Sequence, residues 1–218
     1  MLKRLRVLLF PPKCVHCGCL LEKDETDLCR NCRENAPICE KSTFRISFVA
    51  HWTAVWYYND NVRDGILRFK FAKRRSYAAA YGRFLAMKLM KAGLADFDVL
   101  TWVTTGRQRK RKRGYDQAEL IARAVAKELG VEAVRTLKKI RKTPPQSSLS
   151  TAAQRRANIL GAYKVPKPAF VAGKQILLLD DIITTGATAS ECAKTLLTAG
   201  AKAVNFASVA VASHDMKK

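Results

Sequence analysis

Ile176–Thr188 reads ILLLDDIITTGAT, and the fold follows from how this stretch is read. Four apolar residues form a buried-strand pattern and the acidic pair Asp180-Asp181 follows. The small hydroxylated run Thr184-Thr185-Gly186-Ala187-Thr188 then leads into a helical pattern. Strand, small-residue turn and helix start together build an anion pocket. The first N–H groups of a helix lack intrahelical partners, and the helix dipole favours negative charge there. With a phosphate in the turn, the two acids lie where a sugar diol would. Ala189, Cys192, Ala193 and Leu196 recur at helical spacing, and Gly200 is placed to stop the helix. Thr188 and Glu191 have the spacing of a capping box. Neighbouring residues on a strand point to opposite sides, so Asp180 and Asp181 are expected to face apart. An Asp-rich turn after a strand is common, but it leaves three threonines and a glycine at the junction unexplained. A glycine-rich dinucleotide fold competes poorly. The chain has no GxGxxG pattern, and its acids precede the loop rather than following it.

Working outward, further strands are expected at Phe48–Tyr58, Val99–Val103, Val134–Lys138, Ala162–Val165 and Val204–Val211. Helices are expected over 61–75, 77–92, Asp116–Leu129, Thr151–Asn158 and Thr188–Ala199. This alternation predicts an α/β fold: a mostly parallel sheet with helices on both faces.

The 218 residues suit one medium domain with a small appendage, divided here as 1–45 and 46–218. Forty Lys and Arg against eighteen acids give a net charge of +22, which favours polyanionic partners. No apolar run approaches the ~18 residues of a membrane span. The N-terminal MLKRLRVLLFPPKC is too short in its apolar part for a signal sequence, so a cytoplasmic protein is expected. Leu2, Leu5, Leu8 and Leu9 read as a short docking helix.

Six of the seven cysteines fall between Cys14 and Cys39. Cys14-x2-Cys17 is followed eleven residues later by Cys29-x2-Cys32, across a polar hairpin. Four thiolates on two tight turns suit a structural, tetrahedral Zn²⁺. The alternative is a reduced thiol cluster without metal, which would leave this segment without a core. Cys19, Cys39 and His16 are spare candidates.

In TWVTTGRQRKRKRGYDQ (101–117), six of the seven residues Arg107–Arg113 are basic. Loops at the C-terminal ends of strands meet the ligand crevice of such a sheet, so this segment and the 180–188 turn would share it. The basic run exceeds what one diphosphate needs, and contact with nucleic acid is equally open. Arg141–Gln154, RKTPPQSSLSTAAQ, reads either as a lid over that crevice or as an ordinary surface loop.

The 176–188 stretch resembles the phosphoribosyl-pyrophosphate (PRPP) signature of type I phosphoribosyltransferases at all thirteen positions. That resemblance implies Asp180 and Asp181 on the ribose hydroxyls and Thr184, Thr185, Gly186, Ala187 and Thr188 around the 5′-phosphate. Thr105, Gly106, Arg107 and Arg109 would face pyrophosphate, with Mg²⁺ accompanying it. The wider order resembles the ComF family over nearly the whole chain: a four-cysteine N-terminus, a basic Leu67–Phe71 segment, RGYDQAELIA, TPPQSSLS with RRANILGAY, then the PRPP stretch. This implies an N-terminal zinc ribbon, a type I phosphoribosyltransferase-like domain, and a role in DNA uptake with partners of that process. Two functions stay open: a phosphoribosyltransferase, or a non-catalytic factor that handles single-stranded DNA and uses the fold for nucleotide docking or sensing. The acceptor is not announced by any residue. A glutamine-dependent amidotransferase is disfavoured, because no Cys lies beside Met1. The chain departs from the family pattern twice. Val103-Thr104-Thr105-Gly106 stands where a proline-bearing strand end is usual, and Asp116 stands where Asn is usual.

Overall fold

The computed structural model describes residues 11–40, 44–144 and 149–212. The expected docking helix at Leu2–Leu9 lies outside them, as do residues 145–148 of the expected lid segment. In chain order the elements are α1 (Arg30–Asn35), β1 (Trp52–Tyr57), α2 (Asp60–Phe71), α3 (Tyr77–Lys91) and β2 (Val99–Trp102). Then follow α4 (Arg107–Arg113), α5 (Gln117–Leu129), β3 (Lys138–Lys139), α6 (Ala152–Ile159) and β4 (Tyr163–Lys164). The last are β5 (Gln175–Ile183), α7 (Ala187–Thr198) and β6 (Ala203–Val211).

Four strands form one sheet in the order β1-β6-β5-β2, with every neighbouring pair parallel. Parallel strands need crossovers, and the crossover helices cover both faces. Alternation along β5 shows this directly. Leu177 and Leu179 join Leu100, Trp102, Ala207 and Val209 in a core with Ile66, Phe69, Tyr81, Leu85, Ile121 and Val125 of α2, α3 and α5. Ile176 and Leu178 join Val204 and Phe206 against Ala189, Cys192, Ala193 and Leu196 of α7. This is the expected type I phosphoribosyltransferase-like α/β fold.

Several expected elements shift. Of Val134–Lys138, Lys138 alone is in a strand: β3 pairs antiparallel with β4, apart from the main sheet, and Ala133 makes an isolated bridge to Leu100. Phe48 does not open a strand, because its φ of +67° belongs to a turn closed by Val49 N–H to Ile46 C=O at 3.2 Å. The basic run 107–113 is helix α4 rather than loop. The Thr188/Glu191 capping box does not form. Gly186 is the N-cap at φ +73°, with no side-chain cap bond, and Glu191 accepts the Gly161 N–H at 2.7 Å.

The cysteine-rich segment is a compact knuckle. Cys14 N–H donates to Cys19 C=O at 2.8 Å and Gly18 N–H to Cys14 C=O at 2.9 Å, with Gly18 at φ +83°. Cys14, Val15, Leu28, Cys29 and Cys32 are buried in the same core as α2 and α3. Residues 37–39 run along the outer edge of β1, through Tyr57 N–H to Pro37 C=O at 2.7 Å and Cys39 N–H to Val55 C=O at 2.9 Å. Arg83 grips Asp27 with two bonds of 2.8 and 2.5 Å.

Candidate ligand pocket and cysteine cluster

A cavity of about 750 Å³ opens at the C-terminal ends of β2 and β5. Asp180, Asp181 and Thr184–Thr188 line one wall, and Thr105 and Arg109 line another. The two sequence segments therefore meet in one crevice. Gly106 and Arg107 do not line it, and Arg107 is exposed. Further lining comes from Lys70 and Lys73 at the end of α2, Lys139 and Arg155, which sequence reasoning left without a role, and from Lys112 and Arg113 of the basic run. Their signal was present only as basic residues scattered through four segments with no shared motif.

The acidic pair is split by strand alternation. Asp181 turns to the α2 side, where its Oδ2 pairs with Lys70 Nζ at 2.9 Å. Asp180 turns to the α7 side; its Oδ1 accepts the Asp181 N–H at 2.8 Å. Burial, and then the neighbouring Asp181 carboxylate, push the Asp180 acid well above the usual carboxylate range. Across the cavity, burial, followed by the positive charge of Arg109, lowers the Lys139 ammonium to about 8. Lys139 Nζ lies 5.5 Å above the Tyr163 ring and donates to Thr143 Oγ1 at 2.8 Å. An anion in this cavity would stabilise Lys139 in its charged form.

The turn itself is shaped by Gly186. A Cβ there would come within 3.2 Å of Ile46 Cγ1 and 3.5 Å of Phe44 Cε2, so the segment after the knuckle roofs the turn. Gly186 also starts the 12-residue helix α7, whose opening N–H groups no side chain caps through the N-cap residue.

Asp116 does not add a free charge to the pocket. It accepts the Glu119 N–H at 3.3 Å as the N-cap of α5, and the Thr105 N–H at 2.8 Å. The carboxylate thereby ties the β2 end to the α5 start, where a proline-bearing strand end has no N–H to offer at its proline. Thr143 and Pro144 of the third segment are held over the rim, through Arg109 to the carbonyls of Thr143 (3.0 Å) and Pro144 (2.8 Å). Thr151 and Gln154 form a reciprocal capping box at α6.

In the knuckle, the sulfurs of Cys14, Cys17, Cys19 and Cys29 all lie within 4.8 Å of one another. Tetrahedral Zn–S bonds of about 2.3 Å would set sulfurs about 3.8 Å apart, so a metal fits this set. Three of the four ligands expected from spacing are in it. The fourth, Cys32, is buried beside it and accepts Asn61 Nδ2 at 3.8 Å, while Cys19 joins the set. His16 is not in the set. It is buried edge-on to Trp56 at 4.5 Å, and burial lowers its pKa to about 4, with Arg68 adding to the effect. Cys39 packs in the other core. Among the described residues no helix is long and apolar enough to cross a membrane.

Residues 116–218 match the phosphoribosyl transferase domain family. The "Competence protein ComFC" of Streptococcus pneumoniae is 28% identical over 227 residues, covering 88% of this chain and 96% of that protein. Over most of its length the chain is similar to competence proteins of the ComF family. Among other ComF relatives, the "DNA utilization protein YhgH" of Salmonella typhi is 33% identical over 142 residues, which is 63% of this chain. The match spans 61% of that relative's length. A glutamine PRPP amidotransferase from B. subtilis, complexed with ADP and GMP, superimposes at a TM-score of 0.44 with 20% identity. It covers 64% of this chain and 30% of its own.

Proposed function

We propose that the pocket binds PRPP or a related phosphoribosyl ligand, and that the protein uses this binding in handling DNA taken up by the cell. One observation carries the reading: a parallel sheet brings an acidic pair, a glycine-capped helix start and a wall of Lys and Arg around one cavity. The 5′-phosphate would occupy the Thr184–Thr188 turn at the start of α7. The ribose hydroxyls would reach Asp180 and Asp181. The diphosphate would meet Arg109, Lys139 and the Thr105 hydroxyl. If transfer to an acceptor occurs, these residues act by orienting the sugar and stabilising the departing diphosphate. Calorimetry of PRPP against the native chain and Asp181→Asn tests this. A loss of roughly tenfold or more is expected, since a charged hydrogen bond is worth about 1.5–3 kcal/mol. Equal affinity refutes the diol role.

The names of the relatives support the link to competence and DNA uptake. A second reading, contact with single-stranded DNA, is favoured by α4: none of its residues is buried, and Arg107 and Arg111 lie outside the cavity. Strand binding through such a face weakens steeply with salt. Arg107→Ala with Arg111→Ala should lower strand affinity and the salt slope while leaving PRPP affinity unchanged. An unchanged slope removes this reading.

A further inference from the structure

Lys70 is one of the pocket residues that neither the PRPP stretch nor the basic loop explains, and it is the one paired to the acidic pair. It projects from α2, and its ammonium stands 2.9 Å from Asp181 Oδ2 with both side chains mostly enclosed, at 16% and 13% exposure. The position is fixed from behind. Earlier on α2, Gly65 sits against the knuckle backbone and Arg68 donates to the His16 carbonyl. An anionic diphosphate approaching two adjacent carboxylates needs a cation between them. Mg²⁺ is the ordinary provider, and it demands several oxygen ligands at about 2.0–2.1 Å. This acidic pair fits that demand poorly: Asp181 is already paired, and one oxygen of Asp180 holds a backbone N–H. A lysine ammonium is a compact point charge with three donors, so it can keep Asp181 and still donate to a ligand oxygen.

We propose that Lys70 is the resident cation at the acidic pair of this pocket, neutralising Asp181 and contacting the anionic end of the ligand, so that binding proceeds without a divalent ion at that pair. This rests on the phosphoribosyl reading above and deepens it: the acidic pair admits the sugar diphosphate whether or not a divalent ion accompanies it.

The test is calorimetry of the full chain with PRPP, once in excess EDTA and once in excess Mg²⁺, for the native protein and Lys70→Met. The native chain is expected to bind in EDTA about as well as in Mg²⁺. Lys70→Met is expected to lose roughly 10- to 100-fold in EDTA, the range of one charged hydrogen bond, and to regain part of it with Mg²⁺. Lys70→Arg should keep binding in EDTA. Binding by the native chain in Mg²⁺ alone overturns the proposal while leaving the phosphoribosyl pocket standing. So does equal EDTA affinity of Lys70→Met. Absence of PRPP binding in both buffers removes the pocket reading itself, and this inference with it. The native comparison needs no variant to fold.

Discussion

Gly65→Ala tests how the knuckle is joined to the sheet domain. A Cβ at Gly65 would lie 2.2 Å from the Val15 carbonyl oxygen, 2.9 Å from Tyr81 Oη and 3.0 Å from His16 Cα. Ordinary carbon–oxygen approach is about 3.3 Å, so the knuckle backbone must retreat by about 1 Å. That retreat strains two bonds that dock it: Tyr81 Oη to Val15 C=O at 3.3 Å, and Arg68 to the His16 carbonyl. Overpacking contributes about 1–3 kcal/mol of destabilisation, and weakening the two bonds adds about 1–2 kcal/mol. Alanine's better helix propensity acts the other way by about 1 kcal/mol. The clash wins, leaving a net loss of about 1–4 kcal/mol. For a chain of this size that lowers Tm by about 2–16 °C. Circular dichroism melts measure it, and in zinc-loaded protein transfer of the metal to a colorimetric chelator should be faster in the variant. A Tm equal to or above that of the native chain would show that the knuckle is not seated on α2, and would refute the reasoning.

Two other outcomes are expected. Lys139 titrates near 8 when folded but at 10.5 ordinarily, so between those values the unfolded chain holds a proton that the folded chain has lost. Folding stability from this group therefore rises as pH climbs from about 8 to 10.5, while PRPP affinity falls over the same range as the cation disappears. Calorimetry across that range should show the decline, and Lys139→Met should flatten it; a native profile with no decline would sink the assignment. Metal analysis should find about one zinc per chain by the four-ligand rule. Cys14→Ser or Cys29→Ser should lose it and lower Tm, whereas Cys192→Ser, on the buried face of α7, should retain it.

Where the physics is local, the sequence was readable. ILLL followed by acids became the central strand β5 because a parallel strand buried on both faces must be apolar throughout. Asp180 and Asp181 diverge because strand side chains alternate, and the short Cys-x2-Cys turns close on themselves. Where tertiary partners decide, it was not. The Thr188–Glu191 spacing satisfied a capping rule, yet Gly161 offered Glu191 a nearer N–H, from a residue thirty positions away. Val134–Lys138 has strand-like composition, but the sheet's edge beside β2 is met by a single bridge at Ala133. Arg107–Arg113 becomes a helix because Gly114 caps it in the left-handed region at φ +80°. Its six positive charges hid a regular element inside what composition describes as a loop. The cation wall of the pocket was invisible for a related reason: Lys70, Lys139 and Arg155 are brought together by chain segments that share no pattern.

The knuckle and the pocket are mechanically one system through α2. Along twelve residues this helix presents Gly65 and Arg68 to the knuckle, buries Val62, Ile66 and Phe69 in the core, and delivers Lys70 to Asp181. A helix held at successive turns by backbone contact, hydrogen bond and core packing has little freedom to slide. The ammonium at its end is therefore placed by the whole helix rather than by its own side-chain torsions. Arg83 and Asp27 brace the next helix, α3, against the same knuckle. Stripping metal from the cysteines should then do more than unfold a small appendage. It should loosen α2 and lower PRPP affinity in a protein whose Asp180–Thr188 wall is untouched. Calorimetry before and after chelation, with the sheet's circular dichroism signal as the control for global unfolding, reads this coupling. Unchanged affinity in metal-free but folded protein would show that the pocket stands without the knuckle.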